Sequence, residues 1–201
     1  SLQNQAENID ALHTEISLTE GQVHEQAVDL SQRRVAVGTT LAEAVERELQ
    51  ALSMSAARFV ISFHRTPDPA GFITVDGAPV QLTPAGIESV EFLFTSNPGE
   101  EPRPLAKIAS GGEVSRVMLA LKSILAAIEH VPTLVFDEVD TGIGGGVAEV
   151  VGRKLKALTQ TCQVFCITHL PQVASRGDIH FLIEKQVVLG RTVTTVRPLT
   201  Q

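Results

Sequence analysis

From about Asn8 to Arg58 the chain contains no proline, and its apolar residues return at every seventh position: Ile9, Ile16, Val23, Leu30 and Val37. A second series, Val45, Leu52 and Phe59, keeps the spacing but is offset by one residue. A seven-residue repeat lays a narrow apolar stripe along one side of a helix, the pattern of a coiled-coil seam. The alternate seam positions are polar (Thr19, Gln26, Arg33), so the stripe is imperfect. Gly38, followed by the capping-box pattern of Thr40 to Glu43, leaves two arrangements open. Either one long helix runs through, or two amphipathic helices meet there.

The texture changes at RFVISFHRTPDPAGFITVDG. Short β-branched and aromatic runs broken by Pro, Asp and Gly predict strands at Phe59 to Phe63, Phe72 to Val75 and Ser89 to Thr95. Beyond Lys107 helix and strand alternate. The expected order is a helix from Gly112 to about Glu129, the strand TLVFDE, a helix from Val147 to Leu158 and the strand QVFCIT. A short helix near Pro171 and strands at Ile179 to Glu184 and Val193 to Arg197 complete it. Such alternation implies an α/β lobe with a mostly parallel sheet and helices packed on it. The expected domains are therefore residues 1–58, a coiled-coil arm, and residues 59–201, the lobe.

Composition narrows the function classes. Hydrophobic residues make up 43%, enough for a buried core, and the net charge of −7 argues against a surface that wraps nucleic acid everywhere. Lys and Arg (Arg103, Lys107, Arg116, Lys122, Arg153, Lys154, Lys156) are scattered and read as solvated surface charge. Cys162 and Cys166 share one strand, where a disulfide closes poorly and a zinc site would need more ligands; they read as buried free thiols in a reducing cytoplasm. No stretch has the roughly 18 uninterrupted apolar residues of a membrane span. The chain begins at Ser1 and its first Met is Met54, which points to a fragment or processed product with a partner segment upstream.

Three motifs carry chemistry. In VPTLVFDEVDTG an apolar strand delivers Asp137 and Glu138 at its C-terminal end, where open α/β sheets bind ligands. Adjacent carboxylates repel, so the pair suits a cation or a proton-transfer task. A hydrophobic strand ending in Asp is the Walker B pattern, with Asp137 helping to hold Mg²⁺ on a nucleotide and Glu138 placed to orient or deprotonate water. Solvated acids capping a strand end are the plainer alternative. In ASGGEVSR, two glycines stand at the mouth of an apolar-periodic helix; they either let a phosphate approach its free N–H groups or are loop residues behind a Ser110 cap. In CITHLPQVA a strand delivers His169 beside the acids, if the two strands are neighbours, where an imidazole can bond a terminal phosphate or the attacking water; a structural His is the alternative. The glycines from Gly142 to Gly146 read as a flexible connector, with Asp140 exposed on the turn. No GxxxxGK[ST] loop occurs, so the main phosphate cradle is missing.

The order of these motifs resembles the C-terminal lobe of an ATP-binding-cassette (P-loop NTPase) ATPase head, and a long helix leading into it points to the SMC/Rad50-like branch. Within that branch the runs GIESVEFLFTSNPGEEPRPLAKIASGGEVSRVMLALKSIL, LVFDEVDTGIGGGVAEVVGRKL and THLPQVA are similar to the RecN family of bacterial DNA repair proteins, over roughly residues 86 to 185. The resemblance implies that Ser110, Gly111, Gly112 and Glu113 form the signature that meets the γ-phosphate of an ATP held by the opposite subunit. It implies Asp137 on Mg²⁺, Glu138 acting on the lytic water, Asp140 communicating across the head dimer, and His169 as the switch residue. Ile108-Ala109 stands where Leu usually precedes the Ser-Gly-Gly core.

The cofactors so implied are ATP and Mg²⁺. The implied partners are an N-terminal lobe of the same protein carrying the P-loop, a second copy through ATP-sandwiched heads, and double-stranded DNA ends, with no membrane. The implied task is tethering ends in double-strand-break repair in the cytoplasm, at the nucleoid. This chain alone is then expected neither to bind ATP tightly nor to hydrolyse it. A chromosome-organising SMC or Rad50 head, and a non-catalytic coiled-coil interaction module, are the competing readings.

Overall fold

The computed structural model describes residues 2–188 and 190–199, with side chains for residues 8–187 and 190–199. Ser1 and Gln201, the outer limits of the two expected domains, lie outside the described residues. The chain divides into two compact units: residues 1–44, 58–95 and 100–105 form one, and residues 45–57, 96–99 and 106–201 the other.

The heptad stretch is one continuous helix, α1, Leu2–Ala51. Gly38 does not break it. A Cβ at Gly38 would stand 2.9 Å from the ring of Phe63 and 3.7 Å from Ile61 Cγ2, so the glycine marks where a strand is received against the helix. Thr40, the start of the apparent capping box, and its neighbour Thr39 donate to the carbonyls of Ala36 and Val35 at 3.3 and 3.2 Å, within the helix.

The rest of the first unit is antiparallel. β1 (Arg58–His64) pairs with β4 (Ser89–Thr95), which pairs with β5 (Arg103–Pro104). β2 (Ile73–Val75) and β3 (Ala78–Val80) form a hairpin. Asp76 (φ 53°) and Gly77 (φ 79°) make its two-residue turn, both left-handed, as a type I′ turn requires. Ile73, Val80 and Ile87 close a core on Ala27, with Val23 and Val75 packed against it. Of the first heptad series only Val23 joins this core; Ile9, Ile16 and Val37 are more than half exposed.

In the second unit Val45, Leu49 and Leu52 are fully buried at the end of α1 and beyond. α2 (Gly111–Leu125), β6 (Thr133–Phe136), α3 (Gly145–Leu158), β7 (Gln163–Cys166) and α4 (Pro171–Ala174) follow, then the hairpin of β8 (His180–Val188) and β9 (Arg191–Leu199). The expected parallel pairing is found between β6 and β7, joined through α3 as a βαβ unit. The other ladders among the described residues are antiparallel, because hairpin turns such as those joining β2 to β3 and β8 to β9 reverse the chain. Gly152 lets α4 come close to α3: a Cβ there would stand 3.1 Å from the Gln172 carbonyl.

Candidate functional site

At the C-terminal ends of the parallel pair, β6 runs into Asp137 and Glu138, and β7 into Thr168 and His169. The neighbouring strands therefore bring the acids and the imidazole to one edge of the lobe, as the sequence required for them to act together. Asp137 and Glu138 are exposed. One carboxylate oxygen of Asp137 accepts the Glu138 N–H at 2.9 Å. Glu138 holds a left-handed backbone, φ 56°, which a non-glycine residue adopts at a cost. A turn follows, closed by the Thr141 N–H donating to the Glu138 carbonyl at 3.0 Å.

Asp140 differs from its expected place. It is buried, 3% exposed, where the sequence suggested an exposed turn residue. The cause is its partners: one carboxylate oxygen accepts the Thr168 hydroxyl and, at 3.1 Å, the His169 backbone N–H. A buried carboxylate needs such donors to offset lost hydration. The His169 ring also turns Nδ1 toward that oxygen, 3.4 Å away, while its side chain stays 74% exposed. A hydrogen on Nδ1 facing Asp140 would leave Nε2 on the outward side. Asp140 thus links the acid turn to the end of β7.

α2 closes the arrangement. Ser110 caps α2, its hydroxyl oxygen accepting the Glu113 N–H at 3.4 Å. Gly111 and Gly112 are tight for a reason internal to the chain. A Cβ on Gly111 would fall 2.0 Å from the Glu138 carboxylate, and one on Gly112 would fall 3.0 Å from Thr141 Cβ and 3.1 Å from the Glu138 carbonyl. The Glu138 carboxylate therefore lies over the first residue of α2, at the end of the helix that favours negative charge.

Two further residues join the site that sequence reading passed over. Ser115 Oγ donates to the Asp137 carbonyl at 2.6 Å, and Arg116 donates to the Thr141 carbonyl at 2.8 Å. Arg116, read as a solvated surface charge, is buried at 8% exposure and also meets Met54 Sδ at 3.5 Å. Burial lowers its pKa and the nearby Glu113 opposes the change. The signal was present in its position, four residues after Gly112 and four before Ala120, on the face that α2 turns inward. Cys166, at the end of β7, is a half-buried free thiol. Burial, Asp140 and Asp137 together push it up to about 11, so it stays protonated at neutral pH.

The donors suit a magnesium ion that keeps most of its water. Among the described residues no three carboxylate, His or Cys side chains gather into a metal cage. Mg²⁺ on a nucleotide does not need one; it takes one or two carboxylates with phosphates and water. Asp137, exposed and with one oxygen committed to its neighbour's N–H, can supply one such ligand.

No protein-family model matches the chain. By sequence it is similar to the DNA repair protein RecN of Bacillus subtilis (strain 168), 42% identical over 202 residues, covering all of this chain and 35% of that protein. It is similar to the DNA repair protein RecN of Deinococcus radiodurans, 41% identical over 193 residues, covering 96% of this chain and 30% of that protein. The chain thus spans about a third of the length of these relatives. Among solved structures it is similar to the Smc head domain with a coiled coil and joint from Pyrococcus yayanosii, with 18% identity, 80% of this chain and 26% of that one covered, and a TM-score of 0.49.

Proposed function

The chain belongs by sequence with the RecN DNA repair proteins, and on that premise we propose that it is the C-terminal lobe of their ATPase head, one half of a site that binds and hydrolyses ATP between two heads. The observation that carries this reading is the convergence at one edge of the lobe. The glycine mouth of α2, the Asp137–Glu138 turn and His169 are remote in sequence, yet they are tied together through Glu138 and Asp140.

In this reading Asp137 would hold the Mg²⁺ that accompanies ATP, and the chemistry so supplied would be neutralisation of phosphate charge. Glu138 takes the proton of the attacking water. His169, oriented by Asp140 through Nδ1, offers Nε2 to the terminal phosphate or to the water. Ser110, Gly111, Gly112 and Glu113 face the ATP first held by the P-loop lobe of another subunit, with Asp140 relaying between heads. The N-terminal lobe of the same protein has a surface to dock on. Val135, Phe165 and Ile167 leave one face of the parallel pair apolar and about half exposed or more. The exposed apolar residues of α1 take the returning arm of the coiled coil. The repair task, tethering double-stranded DNA ends, follows from the family and not from a basic patch on this chain.

The test is Glu138→Gln in a protein that contains both lobes. ATP binding is expected to survive while hydrolysis falls about 10²- to 10⁴-fold and ATP-bound dimers accumulate. Unchanged hydrolysis would remove Glu138 from the mechanism and favour a non-catalytic module. The 201-residue chain alone is expected to show no ATP turnover, and measurable turnover by it would overturn the half-site reading.

A further inference from the structure

We infer that Ser115 and Arg116 are positioning residues that fasten the Asp137–Thr141 turn to α2, so that the helix mouth and the acids move as one piece. The consequence for turnover rests on the ATPase reading above. The Ser115 hydroxyl donates to the carbonyl of Asp137 and the Arg116 guanidinium to the carbonyl of Thr141, the first and last carbonyls of the turn. The turn is thereby gripped at both ends by two adjacent side chains of one helix.

Between the grips lies the strained residue. Glu138, at φ 56°, adopts a backbone that its surroundings must impose. The Thr141 N–H closes on its carbonyl, and Gly112 allows the turn to approach within 3.1 Å of where a Cβ would be. Arg116 is buried and further held by Met54, so its end of the grip cannot wander. The single hydroxyl hydrogen of Ser115 is committed to the Asp137 carbonyl. Both side chains are therefore engaged with backbone, and they act on the chemistry through Glu138. A displacement of the helix mouth, where a nucleotide from another subunit would press, becomes a displacement of Glu138.

The experiment uses the protein with both lobes and compares Ser115→Ala, Arg116→Lys and Arg116→Met. The hydroxyl deletion is small enough to fold, and the lysine keeps a donor for the Thr141 carbonyl. Expected for Ser115→Ala and Arg116→Met is a fall in kcat of about tenfold to a hundredfold with KM for ATP unchanged, with Arg116→Lys recovering part of the loss. The amide of Thr141 should exchange faster with deuterium in Ser115→Ala, a readout that does not need turnover. In a Glu138→Gln background, Ser115→Ala should remove nothing further from the residual rate. Wild-type kcat in Ser115→Ala and Arg116→Lys, alongside a lost rate in Glu138→Gln, would overturn the fastening role and leave the ATPase reading standing. So would an equal further loss in the Glu138→Gln background, or unchanged exchange at Thr141. Unchanged hydrolysis in Glu138→Gln itself would overturn the reading on which the consequence for turnover depends.

Discussion

Two glycine-rich segments flank the acid turn, and they are glycine for different reasons. At Gly111 and Gly112 a Cβ would strike the Glu138 carboxylate, the Glu138 carbonyl or Thr141. At Gly142, Gly144, Gly145 and Gly146 a Cβ would meet nothing within 4 Å. The first pair answers to volume: at Gly112 two segments of chain pass at contact distance, and at Gly111 the space is taken by the Glu138 side chain. In the second group Gly142 (φ 73°) and Gly145 (φ 51°) are required by backbone alone, and Gly144 and Gly146 by neither. Glycine runs that look alike in sequence therefore answer to different physics.

The comparison breaks most visibly at Gly112→Ala. Its Cβ would press on a backbone carbonyl and on Thr141, neither of which can give way without moving the turn. The expected cost is about 1–3 kcal/mol, read as a lowered melting temperature, together with loss of ATP turnover in the two-lobe protein. Gly111→Ala should separate the two effects. Its Cβ meets first the carboxylate end of the Glu138 side chain, which can rotate aside. Melting should change by less than about 1 kcal/mol while turnover falls, since the carboxylate loses its resting place. The smallest effect belongs to Gly146→Ala, at the second position of α3 with open space around it. A gain of about 0.5–1 kcal/mol and unchanged turnover are expected. If Gly146→Ala proved as damaging as Gly112→Ala, the distinction between the two segments would be lost.

Much of this site could be read from sequence because each motif announces itself locally. An apolar run ending in Asp137-Glu138, a Ser before two glycines and a helix, and a strand ending in His169 are patterns of neighbours along the chain. The joining of β6 to β7 was legible for the same reason, since strand, helix and strand of these lengths form a βαβ unit. What escaped the sequence depends on partners far away in it. Gly38 looks like a helix break until Phe63 is seen against it. Asp140 looks like an exposed turn residue until Thr168 and His169 are found donating to it. Arg116 looks like one more surface charge until it is found buried on the Thr141 carbonyl. The β2–β3 hairpin was half seen: a strand at Phe72 to Val75 was expected and is found as Ile73–Val75, while Ala78–Val80, with a proline in its middle, has a weak strand signal.

The contact between Gly111 and the Glu138 carboxylate also constrains how such sequences can vary. The space is shared, so one position limits what the other can hold. A homologue with alanine at the position of Gly111 should carry a shorter or repositioned side chain at that of Glu138, and the two should change together across lineages. A survey of natural sequences would then find the helix mouth and the acid inherited as a pair, with single substitutions at either one rare and compensated.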